Sequence, residues 1–396
     1  MDTEKVIQEN EEVLIINPGE RVERMTPFLL EWFQRKARIL PWRTEPKPYY
    51  VWVSEIMLQQ TRVEAVKPYF LRFIRALPDI HALAECEEEL LLKLWEGLGY
   101  YNRVRNLQKA AKMVMELYQG ELPADYQTLL QLPGIGSYTA GAIASIAYRI
   151  PVPAVDGNVL RVMARLTENY EDIGKASVKR QTEELLKVHM PKSDAGAFNQ
   201  AMMEIGAVVC LPNGEPKCRE CPICSYCLAL EHQTVMELPV KSKKKARRIE
   251  ELTVFVIRKK DFISDEVVLH RRADSGLLAG MYEFPNISGK LDEKAALEVL
   301  GGWGIKIQSI LPIEEAKHIF SHVEWHMKGY LVEEADDVKQ DIRRADMVAE
   351  RAVFQIKRIE HGLEWVSVDR VRAEIAIPSA FAAFNKYIER KREDEC

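Results

Sequence analysis

The stretch LPGIGSYTAGAIASIAYRIPVPAVDGNVLRVMAR, residues 132–165, opens with a Gly-x-Gly turn feeding a helix of small residues and closes on Asp156 in a tight Pro-Ala-Val-Asp-Gly-Asn turn. Gly134 and Gly136 are free to adopt positive φ and present no Cβ to an approaching backbone. A helix starting near Ser137 aims its first free N–H groups, and the positive end of its dipole, at an anion. Ala140, Gly141, Ala142, Ala144, Ser145 and Ala147 keep that helix slim enough for another to pack closely. A bare G-x-G is usually no more than a hinge between two helices. Here a carboxylate comes after it, and a carboxylate beside a bound phosphodiester is repulsive unless chemistry requires it. The pairing points to catalysis on nucleic acid.

Cysteine spacing is the second signal. The chain of 396 residues has seven cysteines, and five of them are Cys210, Cys218, Cys221, Cys224 and Cys227. The N-terminus, MDTEKVIQENEE, is charged rather than apolar, and no apolar run is long enough to span a membrane, so a cytoplasmic chain without membrane attachment is expected. Clustered cysteines in a reducing compartment bind metal more often than they form disulfides. With no histidine inside the cluster, an all-thiolate site is expected, either tetrahedral zinc or an iron–sulfur cube.

The length predicts two or three domains, each with its own core. A net charge of −5 excludes a uniformly basic surface, so any nucleic-acid face must be local; acid concentrates in Asp2–Glu12 and the C-terminal third. Helical spacing dominates from Pro27 to about Ala229, with Thr26-Pro27 as a cap and first-turn pair and apolar periods at 63–77, 88–95, 107–117 and 178–188. The basic run KSKKKARR (241–248) breaks this pattern and reads as a linker able to touch phosphates. Beyond it, β-branched runs at 252–257 and 266–270, a helix at 292–300 ending on Gly301, and another at 379–388 define an α+β domain. The expected organisation is an N-terminal extension (1–25), a mainly α catalytic region (26–234) with a cysteine loop (210–227), a basic linker (235–250) and an α+β C-terminal domain (251–396). The charged segment 333–362 carries no recognisable motif.

Asp156 needs a partner. In VWVSEIMLQQTRV (51–63), Glu55 lies on a short apolar helix beside Val53, Ile56 and Met57. An apolar surrounding raises a carboxyl pKa and suits a general acid, although a solvent-facing Glu is the commoner case. Glu55 in SEIMLQQT, Tyr138 in the hairpin, Asp156 in VDGNV, the cysteine loop and a further C-terminal domain together resemble the adenine DNA glycosylase (MutY) family of the helix-hairpin-helix superfamily. The likeness runs from about Pro27 to the C-terminus and is tighter before Cys227.

That resemblance implies a helix-hairpin-helix catalytic region of two helical subdomains joined to a MutT/Nudix-like domain. It implies a monofunctional, monomeric hydrolase that removes adenine mispaired with 8-oxoguanine or guanine in duplex DNA. Glu55 would protonate the base and Asp156 would stabilise or capture the oxocarbenium-like sugar. Asn158 and Tyr138 would orient the carboxylates. Arg43, Trp42 and Gln200 would line the adenine pocket, Gln60 and Tyr100 would wedge the duplex, and Gly134 and Gly136 would hold phosphate. The cysteine loop would carry a [4Fe–4S] cluster on Cys210, Cys218, Cys221 and Cys227. The intervals after Cys218 enclose two and five residues as in that superfamily, but Cys210 to Cys218 encloses seven, one more than usual, and Cys224 is an extra thiol.

Bifunctional relatives such as endonuclease III place a Schiff-base lysine at the seventh hairpin residue, where this chain has Tyr138. Strand cleavage by a lyase is therefore disfavoured. A noncatalytic iron–sulfur DNA sensor would need neither Glu55 nor Asp156. In the C-terminal domain GLLAGMYEFP (276–285) resembles the family's MutT-like stretch, whereas LDEKAALEVLGGWG (291–304) lacks the clustered glutamates of a Mg²⁺-dependent nucleotide hydrolase. Phe320-Ser321-His322 matches the loop that reads 8-oxoguanine in this family.

Overall fold

A computed structural model describes residues 16–242, 246–260, 265–335, 357–359 and 362–388. The acidic Asp2–Glu12 stretch, Lys243–Lys245 of the basic linker, and most of the charged 333–362 segment lie outside the described residues. The helical part runs α1 (Pro18–Lys36), α2 (Pro41–Thr44), α3 (Pro48–Leu58), α4 (Val63–Ala76), α5 (Ile80–Glu85), α6 (Glu88–Trp95), α7 (Asn102–Tyr118), α8 (Tyr126–Leu129) and α9 (Ser137–Ala142). A π-helical turn, Ile143–Ala147, succeeds α9, and then come α10 (Gly157–Leu166), α11 (Ala176–His189), α12 (Ala195–Val208) and α13 (Leu228–Glu231). None of the described helices is long and apolar enough to cross a membrane.

The chain divides into two compact units, one of residues 1–84 and 106–243, the other of 85–105 and 244–396. In the first, α1, α10, α11 and α12 bury Leu29, Val162, Leu186 and Phe198 in a common core. The first helix starts earlier than the Thr26-Pro27 pair suggests. Asn17 is its cap, accepting from the Glu20 N–H at 2.9 Å, and Pro18 occupies the first turn. Pro27 lies inside the helix, at the expense of one backbone hydrogen bond. Thr26, far from capping, turns its hydroxyl back to donate to the Val22 carbonyl at 2.7 Å.

The second unit holds an eight-stranded mixed sheet. Its strands are β1 (Arg248–Lys260), β2 (Asp265–Arg271), β3 (Tyr282–Glu283), β4 (Asn286–Ser288), β5 (Ile307–Ile319), β6 (Val323–Glu334), β7 (Lys357–Ile359) and β8 (Leu363–Ser367). The order is β5-β6-β1-β2-β8-β7, with β3 on β2 and β4 on β1; among the described residues β1 and β6 are the parallel pair. Alternation along β1 explains the layers: Val254 and Val256 enter a core with Phe284, Phe381 and Phe384, while Phe255 and Ile257 face α14 (Glu293–Gly302) through Ala296 and Leu300. The helix expected over 379–388 is shorter, a 3-10 turn leading into α16 (Ala382–Asn385), preceded by α15 (Val368–Ala373). Helix α16 contributes Phe384 to that core.

Candidate active site

The site is built where α3, α9, the start of α10 and α12 converge. Helix α3 is buried along most of its length, including Glu55, only 5% exposed. Its carboxyl accepts a hydrogen bond from the Tyr138 hydroxyl on α9, which also reaches Met203 Sδ on α12 at 3.2 Å. Burial pushes the Glu55 carboxyl up to about 7; the Tyr138 hydrogen bond opposes this, and nearby Asp156 adds to it. Burial and the two carboxylates likewise hold the Tyr138 phenol well above its ordinary value, so it stays a donor.

Asp156 caps α10. Its Oδ1 accepts from the Asn158 N–H at 2.9 Å and the Val159 N–H at 2.8 Å, and its Oδ2 accepts from Asn158 Nδ2 at 2.7 Å. Burial holds its pKa above the ordinary aspartate value even though these donors and Arg161 pull it down. Every contact uses Asp156 as an acceptor, the pattern of an ionised carboxylate. Arg161 on α10 steadies the amide: Nη2 donates to Asn158 Oδ1 at 2.9 Å and to the Gly206 carbonyl at 2.8 Å, and Nε donates to the Cys210 carbonyl at 2.9 Å. The loop leading to Asp156 is held from behind by Asn199, whose Oδ1 accepts from the Ala154 N–H at 3.1 Å and whose Nδ2 donates to Ser145 Oγ and the Val152 carbonyl.

Glu55, Tyr138, Asp156 and Asn158 line one cavity of about 990 Å³, together with Trp42, Arg43, Gln60 and Gln200. Sequence reasoning missed five of its charged members, Arg38, Arg62, Glu64, Lys179 and Glu204. A single carboxylate in the apolar run AFNQAMMEIGAV was the available signal for Glu204. Gln60 takes φ +60, an uncommon left-handed backbone for a non-glycine residue.

Of the hairpin glycines, Gly134 takes φ +78, and a Cβ there would lie 2.8 Å from Asn106 Cβ. Gly136 is extended, at φ −94, and caps α9 in open space. The small-residue helix does serve close packing: a Cβ on Gly141 would stand 2.2 Å from the Pro153 carbonyl oxygen, and one on Gly196 of α12 would stand 2.6 Å from that of Ser145.

The five clustered thiols, Cys210, Cys218, Cys221, Cys224 and Cys227, line a second, smaller cavity with Arg165, whose Nη1 lies 3.2 Å from Cys210 Sγ. Burial pushes Cys221 up to about 12 and Cys227 to about 11. Among the described residues, no three His, Cys, Asp or Glu side chains gather tightly enough to hold one metal ion. A single zinc would need its thiolates about 2.3 Å from one point. The donor set is soft and all sulfur, which suits thiolate-held zinc or an iron–sulfur cluster.

In the second unit Tyr100 is 49% exposed on a left-handed turn, φ +50. Phe320 is half-buried, edge-on to His318 and Trp325 at 4.6 and 4.8 Å between ring centroids. Ser321 and His322 are exposed, with Ser321 Oγ 3.2 Å from His322 Nδ1.

A buried carboxyl held near neutrality opposite an acceptor-only carboxylate is a device for breaking glycosidic bonds. Similarity to known proteins agrees on the class. Residues 53–188 match the HhH-GPD superfamily of base excision DNA repair proteins, and residues 253–387 match the NUDIX domain. Solved structures to which parts of the chain are similar include a thermostable thymine-DNA glycosylase (26% identity, TM-score 0.49, 54% of this chain and 98% of that one) and endonuclease III trapped on DNA (25%, TM-score 0.47, 55% and 98%). The chain is a helix-hairpin-helix DNA glycosylase with a Nudix-like second domain. Within that class it is 35% identical over 368 residues to the human adenine DNA glycosylase, covering 78% of this chain and 67% of that one. It is 34% identical over 307 residues to that of Buchnera aphidicola (strain Sg), covering 77% and 86%. It belongs to the adenine DNA glycosylase family.

Proposed function

We propose that this enzyme excises adenine mispaired with 8-oxoguanine or guanine from duplex DNA, as a monomer acting on DNA in the cytoplasm, without cutting the strand. The observation that carries this reading is the sorting of two neighbouring carboxyls, Glu55 held near 7 by burial and Asp156 engaged solely as an acceptor. The adenine leaves the stack and enters the cavity, since its glycosidic bond is out of reach inside the duplex. Glu55 gives its proton to adenine N7 as the bond to C1′ breaks. Asp156 stabilises the positive charge left on the sugar, held in place by Asn158. Water then adds its hydroxyl to C1′ and its proton restores Glu55. Tyr138 orients Glu55, and Arg43, Trp42 and Gln200 surround the base. Gln60 and Tyr100 are each assigned, separately, to wedging the duplex, and Gly134 and Gly136 let the hairpin approach phosphate.

No amine occupies the Tyr138 position, which supports hydrolysis over lyase chemistry. Phe320, Ser321 and His322 read the opposite 8-oxoguanine, with Phe320 braced by Trp325 and His318. Cys210, Cys218, Cys221 and Cys227 would hold a [4Fe–4S] cluster, which when bound supplies four iron–thiolate links that staple the loop. We assign residues 26–234 to catalysis, 235–250 to the linker and 251–396 to lesion recognition. The test is single-turnover reaction on a duplex with adenine opposite 8-oxoguanine, using wild type and Asp156→Asn, with and without alkali. Breaks that need alkali and vanish in the variant are expected. Breaks without alkali would overturn the hydrolase reading.

A further inference from the structure

The cavity contains a second buried glutamate that takes no part in proton donation or charge stabilisation. Glu204 on α12 is 1% exposed, and both of its oxygens are saturated by guanidinium and backbone donors. Its Oε1 accepts from the Arg38 N–H at 3.1 Å and from Arg38 Nε at 2.6 Å. Its Oε2 accepts from Arg38 Nη2 and from Arg43 Nη2, each at 2.9 Å. Arg43 is fixed further by donating from Nη1 to the Arg38 carbonyl at 3.2 Å and by lying over the Phe33 ring, 5.3 Å from its centroid. We propose, building on the adenine-excision reading, that Glu204 is a positioning residue for the acid step: it clamps the Arg38 and Arg43 guanidiniums onto itself and so keeps Arg43 from neutralising Glu55.

Two buried glutamates share this cavity and are driven to opposite states. Burial alone would raise both; hydrogen bonds and charge from Arg38 and Arg43 instead hold Glu204 at about 2. Glu55 has no such partner and rises to about 7, although Arg43 is close enough to pull it down slightly. Facing Glu55 are Tyr138 from α9, Asp156 from the cap of α10 and Arg43 from α2. The remaining charged groups of the wall are Arg38, Arg62 and Glu64 beside α2 and α4, Lys179 from α11 and Glu204 from α12. Arg43 is thus the cation whose placement decides how much positive potential Glu55 feels. A glutamine at 204 has one acceptor oxygen and turns an NH₂ toward the guanidiniums. Released, Arg43 would be free to turn toward Glu55, whose carboxyl already feels its charge, and Glu55 would then ionise more readily and be less often protonated at neutral pH.

The test is the pH profile of single-turnover adenine excision from the same duplex, between pH 5 and 9, for wild type, Glu204→Gln and the double variant Arg43→Gln/Glu204→Gln. In the wild type the rate falls on the alkaline side as Glu55 loses its proton. In Glu204→Gln that limb is expected at least about one pH unit lower, so the rate at pH 8 drops about tenfold further than the rate at pH 5.5. Removing both partners takes out one charge of each sign, and the limb returns toward the wild-type position. A uniform loss at every pH, or a double variant whose limb stays where Glu204→Gln put it, overturns the proposal. If Glu204→Gln does not fold, Glu204→Asp withdraws the carboxylate by one methylene and is expected to lower the limb by a smaller step; an unmoved limb there also overturns it. A wild type that releases no adenine would instead defeat the proposed function and leave the clamp without a reaction to serve.

Discussion

Glu55 sits in the middle of its own titration at neutral pH, and the fold bears the cost. An unfolded glutamate releases its proton around 4.5, whereas burial holds the folded one at about 7, so between those values the folded chain binds the extra proton. Stability from this site is therefore full below 4.5 and is lost as pH rises through 7. Glu55→Gln, which imitates the protonated form, is expected to abolish excision while stabilising the protein at pH 8 by up to about 3 kcal/mol and hardly at all at pH 4.5. Thermal melts at the two pH values check this; a variant equally or less stable at pH 8 would contradict a buried, ionising Glu55. The residue itself was legible, because a lone acid among Val53, Ile56 and Met57 is conspicuous. Glu204 stands in an equally apolar run, yet its meaning depends on Arg38 and Arg43, more than 160 positions away, and no local pattern announces that pairing.

Between elements, the catalytic geometry depends on how closely α10 and α12 approach. Gly206 of α12 lies against Asn158, where an added Cβ would stand 2.6 Å from the Asn158 Cβ, while the Gly206 carbonyl accepts from Arg161. Gly206→Ala must push these helices apart or turn Asn158 off Asp156. A loss of about 1–3 kcal/mol of stability is expected, with a larger fall in single-turnover rate than in duplex affinity. Denaturant melts, together with binding and excision assays, separate the two effects; unchanged chemistry would show that Asn158 tolerates the displacement. The elements were mostly predictable from apolar spacing, as the 88–95 helix and the first two strands illustrate. The start of α1 was not, since Asn17-Pro18 and Thr26-Pro27 carry the same cap-like chemistry and only packing chooses between them.

Across the whole molecule, the candidate catalytic cavity and the cysteine loop belong to one unit, and Arg161 touches both, bridging Asn158 and the Cys210 carbonyl. Cys221→Ser is expected to strip the broad visible absorbance of an iron–sulfur protein and to lower the melting temperature by roughly 5 °C or more, a shift of about 2–4 °C corresponding to each kcal/mol in a unit of this size. A colourless wild type that contains zinc would refute the cluster. Chain length and the switch from helical to β-branched spacing across the basic run pointed to two parts, whereas the grouping of residues 85–105 with the C-terminal part depends on contacts that no periodicity reveals. One further consequence lies in the π-helical turn Ile143–Ala147, between Tyr138 and the loop to Asp156. An α-helix advances about 100° per residue, so a wider turn sets the angular phase between the helix on its N-terminal side and the loop on its C-terminal side. Deleting one residue there would swing the tyrosine around the helix axis and away from its acid, even if every side chain at the site were kept. Along this stretch of chain the number of residues matters as well as their identity, because a single inserted or deleted codon changes the direction in which the tyrosine faces.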